Sequence, residues 1–237
     1  MWVLLPVKNF RQAKRRLAPV LSNAERQALV SIMLEDMLAI LTGNAQIEGV
    51  FLLSDDPEAG LLADRFSVIH VTDSQFEAEG LNNALQKAVN YLAEQGITEV
   101  MIIPGDLPLI NDAEINQLLA AHNQIDEAVV TLVTDRRGEG SNAIICNPRS
   151  GFRFCFGPNS AVQHQQQAIA IGAVFNRVEL PGIGCDIDCP QDLLDMEQHY
   201  AVQHSPEGRL KKTPDYLRST GIMQRIYTAQ NAEAVIQ

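Results

Sequence analysis

Short apolar runs closed by turn residues alternate with longer stretches of helical period along most of this chain, and this alternation constrains the fold more than any other feature. Met1 to Val7 reads as a buried strand. Ser22-x-x-Glu25 carries a capping-box signature, after which Leu29, Ile32, Met33, Met37, Ile40 and Leu41 recur with helical spacing as far as Gly43. Val50 to Leu53 gives a second strand, ended by Ser54-Asp55-Asp56-Pro57, and a short helix leads to a third strand, Val68 to Val71. Residues 72–79 are polar and acidic, with loop character. Gly80-Leu81-Asn82-Asn83 then opens a helix whose Leu81, Leu85, Ala88, Val89 and Leu92 share one face, stopping at Gly96. Val100 to Ile103 is the next strand, Asn111-x-x-Glu114 caps the next helix, and Ala128 to Val133 is a further strand. Strands that alternate with helices in this way argue for a largely parallel sheet covered on both faces.

The second half is less regular. A Gly-punctuated polar loop from Asp135 to Asn142 precedes the strand Ala143 to Cys146, and Gly157-Pro158-Asn159-Ser160 precedes a helix running to about Gly172. Beyond His199 the periodicity is lost. Residues 1–199 are therefore expected to form one domain with a single sizeable core, and residues 200–237 a tail or appendage outside it.

Candidate chemistry gathers at strand ends. In VMIIPGDLPLI, Asp106 sits just past the carboxyl end of a buried strand, the edge at which open α/β sheets bind ligands. Its proline neighbours restrict the backbone. A fixed carboxylate there suits Mg²⁺, which takes one or two carboxylates plus phosphate oxygens, or else simply caps the following helix. Asp186 and Asp188 fall on one side of an extended segment, as a second ligand pair or as the entry to a helix with Pro190 at its first position. Gly157 to Ser160 is an anion site at a helix start or a plain N-cap.

The formal net charge of −11 disfavours a general nucleic-acid binder. The charge is uneven, because Lys8, Arg11, Lys14, Arg15 and Arg16 fall within nine residues and no acidic residue precedes Glu25. Such an island suits a small polyanion, or is a solvated charged loop. The G-x-G-x-x-G and G-x₄-G-K-[ST] fingerprints are both missing, which disfavours a dinucleotide dehydrogenase or a P-loop kinase. Cys146, Cys155, Cys185 and Cys189 lack the paired spacing of a zinc site and read as free thiols. No apolar run approaches a membrane span, and WVLLPV follows Met1 with no leader-like segment, so a cytoplasmic protein is expected.

In order, VLLPVKNFRQAKRRLAPVLS, LLSDDP, GLNNAL, IIPGDLPLI, DRRGEGSNAII, FCFGPNSAVQH and CDIDCPQDL resemble the guanylyltransferases of coenzyme F420 biosynthesis, the 2-phospho-L-lactate or phosphoenolpyruvate guanylyltransferase family, over roughly residues 1–198. The resemblance implies an α/β fold with a Rossmann-like mixed sheet, of the nucleotidyltransferase, glycosyltransferase-A-like kind. It implies transfer of GMP from GTP to a phosphorylated three-carbon acid (phosphoenolpyruvate, 2-phospho-L-lactate or 3-phospho-D-glycerate) with release of pyrophosphate, and Mg²⁺ as cofactor. GTP and the acid are then the partners, with no nucleic acid and no membrane, and a homo-oligomer is left open.

Carried over by motif, Pro6, Val7 and Lys8 hold the nucleotide, Lys14 and Arg16 face its phosphates, and Leu81 and Asn82 lie near its base or ribose. Asp106, Asp186 and Asp188 match the metal-binding acids, with Asp106, Asp188 and Lys14 the catalytic group. Ser141, Gly157 and Ser160 match the positions that hold the acceptor. The chain departs from the family where Glu139 and Ser141 replace two threonines, where Asn159 replaces a glycine, and where Cys189 replaces a threonine. The competing readings are another nucleotidyltransferase or glycosyltransferase of the same fold, and a non-catalytic GTP-binding module.

Overall fold

In the computed structural model, which describes residues 1–202 and 211–234, seven strands form one sheet. They are β1 (Trp2–Pro6), β2 (Gly49–Leu53), β3 (Ile69–Val71), β4 (Val100–Ile102), β5 (Val129–Thr134), β6 (Ser141–Cys146) and β7 (Val174–Val178), in the spatial order β3-β2-β1-β4-β6-β5-β7. Of the seven, only β6 runs against its neighbours. The sheet is therefore mixed, as the family resemblance implies, and largely parallel, as the alternation predicts; the reversed β6 is what the alternation does not foretell. The cause is loop length. A parallel crossover needs a dozen or more residues, whereas 135–140 can only fold β5 straight back into β6. β7 was missed because it is an edge strand with a mostly half-exposed pattern, not an apolar run.

Among the described residues there are eight α-helices: α1 (Asn23–Gly43), α2 (Pro57–Phe66), α3 (Leu81–Glu94), α4 (Asp112–Asn123), α5 (Ser160–Ala170), α6 (Pro190–Val202), α7 (Lys212–Ser219) and α8 (Ile222–Ala234). Alternate strand residues divide between the layers. Val3 and Leu5 join the buried cluster under α1, α2, α4 and α6, while Leu4 joins the cluster under α3 and α5 with Phe152 and Phe154. Ser22 and Glu25 close a full capping box at the start of α1.

The described part of the C-terminal segment differs from the sequence reading. Leu217, Ile222, Met223 and Ile226 are buried in the same cluster as α1. Asp36 of α1, itself buried, accepts from the backbone N–H of Lys212 and Thr213 and from the Thr213 hydroxyl, which fixes the start of α7. Helices of eight and thirteen residues interrupted by Gly221 show too little repeat for their periodicity to stand out. Residues 203–210 and 235–237 of the expected tail lie outside the described residues.

β1 to β5 and β7 share a direction, so the loops that follow them open at one edge of the sheet. That edge receives the basic segment, the 72–80 loop, Asp106, the 135–140 loop and the segment carrying Asp186 and Asp188. Among the described residues no helix is long and apolar enough to cross a membrane.

Candidate active site

The basic segment after β1 is anchored by its apolar members. Phe10, Leu17 and Leu21 are buried, and the Phe10 N–H donates to Asp56 Oδ2 at 2.8 Å. Two 3₁₀ turns, Phe10–Gln12 and Arg15–Leu17, flank Lys14, whose backbone is left-handed at φ 54° and ψ 38°. A left-handed lysine is an uncommon, strained conformation that its surroundings must enforce. Here it turns the side chain inward, so that Lys14 is 7% exposed while Arg16 is 77% exposed.

Lys14 Nζ donates to Asp106 Oδ2 at 2.5 Å and to Asp188 Oδ1 at 3.0 Å. Arg16 Nη1 lies 3.9 Å from Asp188 Oδ2. Burial opposes the ammonium charge, but Asp106 and Asp188 outweigh it and raise the Lys14 pKa above the ordinary lysine value. Burial likewise opposes ionisation of Asp188, yet Lys14, with help from Arg16 and Lys8, holds its carboxyl below the usual range. Asp186 behaves in the opposite way. Burial, then the charges of Asp106 and Asp188, push its carboxyl up, against an Asn142 amide that donates to it at 3.3 Å.

The two acidic segments come from distant parts of the chain and are tied together by backbone contacts. The Ile187 N–H donates to the Asp106 carbonyl at 3.3 Å. Buried Asp192, in the first turn of α6, accepts from the N–H groups of Asp188 and Cys189 at 2.8 and 2.7 Å, and Arg136 pairs with it at 2.5 Å. Glu114, on α4, accepts from the N–H groups of Gly182 and Ile183, both at 2.8 Å. A side chain on Gly182 would meet Glu114 Oε2 and the Leu109 carbonyl at 2.7 Å, so only glycine fits. Lys211 reaches in from the C-terminal segment to donate to the Pro108 and Ile110 carbonyls.

A cleft of about 370 Å³ runs along this edge, and seven of the sequence-derived site residues line it: Pro6, Val7, Lys8, Lys14, Leu81, Asp106 and Asp188. Pro104 and Gly105, in the turn that carries Asp106, also line it, and Gln12, Ala13, Val30, Leu53 and Asp73 complete the wall, five residues missed by the sequence reading. Asn82, next to Leu81, is not among the residues that line the cleft. Its amide forms a two-way bridge to the Phe156 backbone, at 3.0 and 2.8 Å, which ties α3 to the segment before α5.

Ser141, Gly157 and Ser160 come together around α5. The Ala161 N–H donates to the Glu139 carbonyl, and Ser141 Oγ lies 2.9 Å from Nδ1 of His164. Ser141 and Ser160 are buried and Gly157 is exposed. Asn159 takes the left-handed conformation (φ 55°), which glycine adopts most readily and asparagine tolerates. Asn142, next to Ser141, donates to the Ile183 carbonyl and so joins this end to the Asp186 segment.

Asp106, Asp186 and Asp188 are neighbouring oxygen donors of the kind Mg²⁺ takes, offset by Lys14 and, nearer the solvent, by Arg16 and Lys8. No three His, Cys, Asp or Glu side chains among the described residues converge into a metal cage. All four cysteines are free thiols.

A family model described as "Guanylyl transferase CofC like" matches residues 1–237. A phosphoenolpyruvate guanylyltransferase of Conexibacter woesei is 34% identical over 192 residues, covering 81% of this chain and 85% of its own. That of Sphaerobacter thermophilus is 32% identical over 204 residues, covering 86% and 96%. Among solved structures, a protein assigned as a nucleotide-diphospho-sugar transferase from Desulfovibrio desulfuricans G20 superposes with a TM-score of 0.73 at 13% identity, over 95% of this chain and 97% of that one. A cytidylyltransferase from Leptospira borgpetersenii gives 0.58 at 12% identity, over 94% and 96%. At such identities the structures show the fold alone, the Rossmann-like mixed sheet of nucleotidyltransferases.

Proposed function

The chain belongs to the CofC-like guanylyl transferase family, and from that premise we propose that it transfers GMP from GTP to phosphoenolpyruvate in coenzyme F420 biosynthesis. The acceptor follows the relatives, which carry phosphoenolpyruvate in their names; 2-phospho-L-lactate and 3-phospho-D-glycerate share its phosphate and carboxylate and are the alternatives to test. The observation that carries the reading is the Lys14 ammonium held between Asp106 and Asp188 at the floor of a cleft otherwise walled by Pro6, Val7, Lys8 and Leu81.

A phosphate oxygen of the acceptor is ionised at neutral pH and attacks the α-phosphorus of GTP. The bond to the β-phosphate oxygen breaks and pyrophosphate leaves with that oxygen's electron pair. The attacking oxygen carries no proton, so the chain need supply no general base and no covalent nucleophile. Its task is alignment and neutralisation of crowded negative charge. With its pKa raised, Lys14 stays cationic throughout the physiological range and acts as a fixed positive charge, with Lys8 and Arg16 nearer the solvent. Asp106 and Asp188, with Asp186 beside them, would hold Mg²⁺, which when bound adds charge neutralisation at the reacting phosphates. Ser141 and Ser160 at the start of α5 would hold the acceptor.

The test is pyrophosphate release from GTP with each of the three acids, with and without Mg²⁺, for the wild type and Asp106→Asn. Phosphoenolpyruvate should be the preferred acid, and the variant should fold but lose most turnover. Asparagine keeps shape and capping ability while removing the charge. Absence of pyrophosphate with all three acids, or a fully active Asp106→Asn, would sink the reading.

A further inference from the structure

The transfer chemistry leaves one charged group on the cleft wall without a role. Asp55, Asp56 and Asp73 stand at the β2 and β3 end of the edge, and Asp56 is committed within the fold, accepting from the N–H groups of Phe10 and Glu58 at 2.8 and 2.9 Å. Asp55 is committed within the fold, its Oδ1 accepting from the N–H and hydroxyl of Ser74 at 3.3 and 3.1 Å. Asp73 instead lines the cleft beside Leu53, Leu81 and Pro6, and no hydrogen-bond donor among the described residues is recorded on its carboxylate. Burial, and secondarily the charge of Asp55, push that carboxyl above the usual aspartate range. A carboxylate in this state gains from any pair of donors brought to it.

Strand order decides which part of a nucleotide would bring them. Asp106 follows β4 and Asp73 follows β3, with β1 and β2 between. Three strand spacings of about 4.8 Å separate the two loops, roughly 14 Å along the edge. Lys8, Lys14 and Asp106 mark one end of the cleft for phosphates, so the far end, walled by Leu53 and Leu81, is left for the base. Guanine presents two adjacent donors on its Watson–Crick edge, N1–H and the 2-amino group, which a single carboxylate can accept together. Adenine and cytosine each set a ring-nitrogen lone pair beside their amino group, and uracil flanks its one N–H with carbonyls. Each of those would turn an acceptor toward the carboxylate.

We propose that Asp73 reads the nucleotide base, its carboxylate accepting from N1–H and the 2-amino group of guanine, and so selects GTP. This deepens the proposed function and rests on the cleft being the nucleotide site.

Equilibrium dialysis of GTP, ITP and XTP with Mg²⁺ and no acceptor tests it, on the wild type, Asp73→Ala and Asp73→Asn. The wild type should hold GTP at least about tenfold more tightly than ITP, which lacks the 2-amino group. Asp73→Ala should abolish that difference, and Asp73→Asn should shift preference toward XTP, whose 2-oxo group accepts from the amide. A merely structural aspartate would not redirect base preference. Equal wild-type binding of GTP and ITP overturns the proposal whether or not the variants fold, and so does an Asp73→Asn that keeps the wild-type preference for GTP over XTP. Because no acceptor is present, the outcomes separate. Base selection without pyrophosphate release sinks the proposed reaction and leaves the role of Asp73 standing. Pyrophosphate release with unaltered base preference in both variants does the reverse.

Discussion

His164 shows how one residue can couple the surroundings of Ser141 to pH. It is fully buried, with Nε2 accepting from the Cys155 N–H at 2.8 Å and Nδ1 2.9 Å from Ser141 Oγ. A backbone N–H can only donate, so Nε2 is bare and the ring proton sits on Nδ1, directed at Ser141. Burial pushes the imidazole pKa down to about 4. An unfolded histidine titrates near 6.5, so between about 6.5 and 4 the unfolded chain binds the extra proton and stability falls as pH falls. The loss should approach about 3 kcal/mol on reaching pH 4. Urea midpoints between pH 7 and pH 4 should show a markedly shallower fall for His164→Asn than for the wild type. Equal slopes would mean that the histidine is not the titrating group.

At the scale of elements, two similar sequence patterns end in different structures. Ser22-x-x-Glu25 closes both halves of a capping box, whereas Asn111-x-x-Glu114 closes only one. Asn111 takes the Glu114 N–H at 2.9 Å, but the Glu114 carboxylate turns away to hold Gly182 and Ile183. It thereby links α4 to the segment that presents Asp186 and Asp188. Glu114→Gln keeps the size but offers one carbonyl and one amino group to two N–H donors. Helix content should be unchanged by circular dichroism because Asn111 still caps α4, while pyrophosphate release should drop by about tenfold or more as the acidic segment shifts. Full turnover in that variant would remove Glu114 from the support of the site.

For the molecule as a whole, the C-terminal helices are part of what holds the two site segments in register. α7 docks on α1 through Asp36, Leu217 packs beneath, and Lys211 holds the Pro108 and Ile110 carbonyls just beyond Asp106. Leu217→Ala should cost about 2–5 kcal/mol, the usual loss for a fully buried leucine. Urea unfolding of that variant should remain a single transition, since the leucine shares one buried cluster with α1 and β1. A second, earlier transition confined to the variant would show that α7 and α8 fold as a separate unit.

The sequence by itself determined the layers, the main strands and helices, and half of the residues that line the cleft. Those follow from local rules: apolar period, capping residues, and the placement of strand-end loops at one sheet edge. Pro6, Lys8, Lys14, Asp106 and Asp188 were legible because strand ends and motif order mark them. Tertiary structure alone decided the rest. It turned Lys14 inward while Arg16 stayed in water, drew the Asn82 amide to Phe156, and brought Asp73 to the cleft. The side-chain partners lie far along the chain, 92 residues away for Lys14 and Asp106 and 74 for Asn82 and Phe156. Hydrogen bonds and ion pairs over such separations depend on how the layers pack, and no local pattern records them.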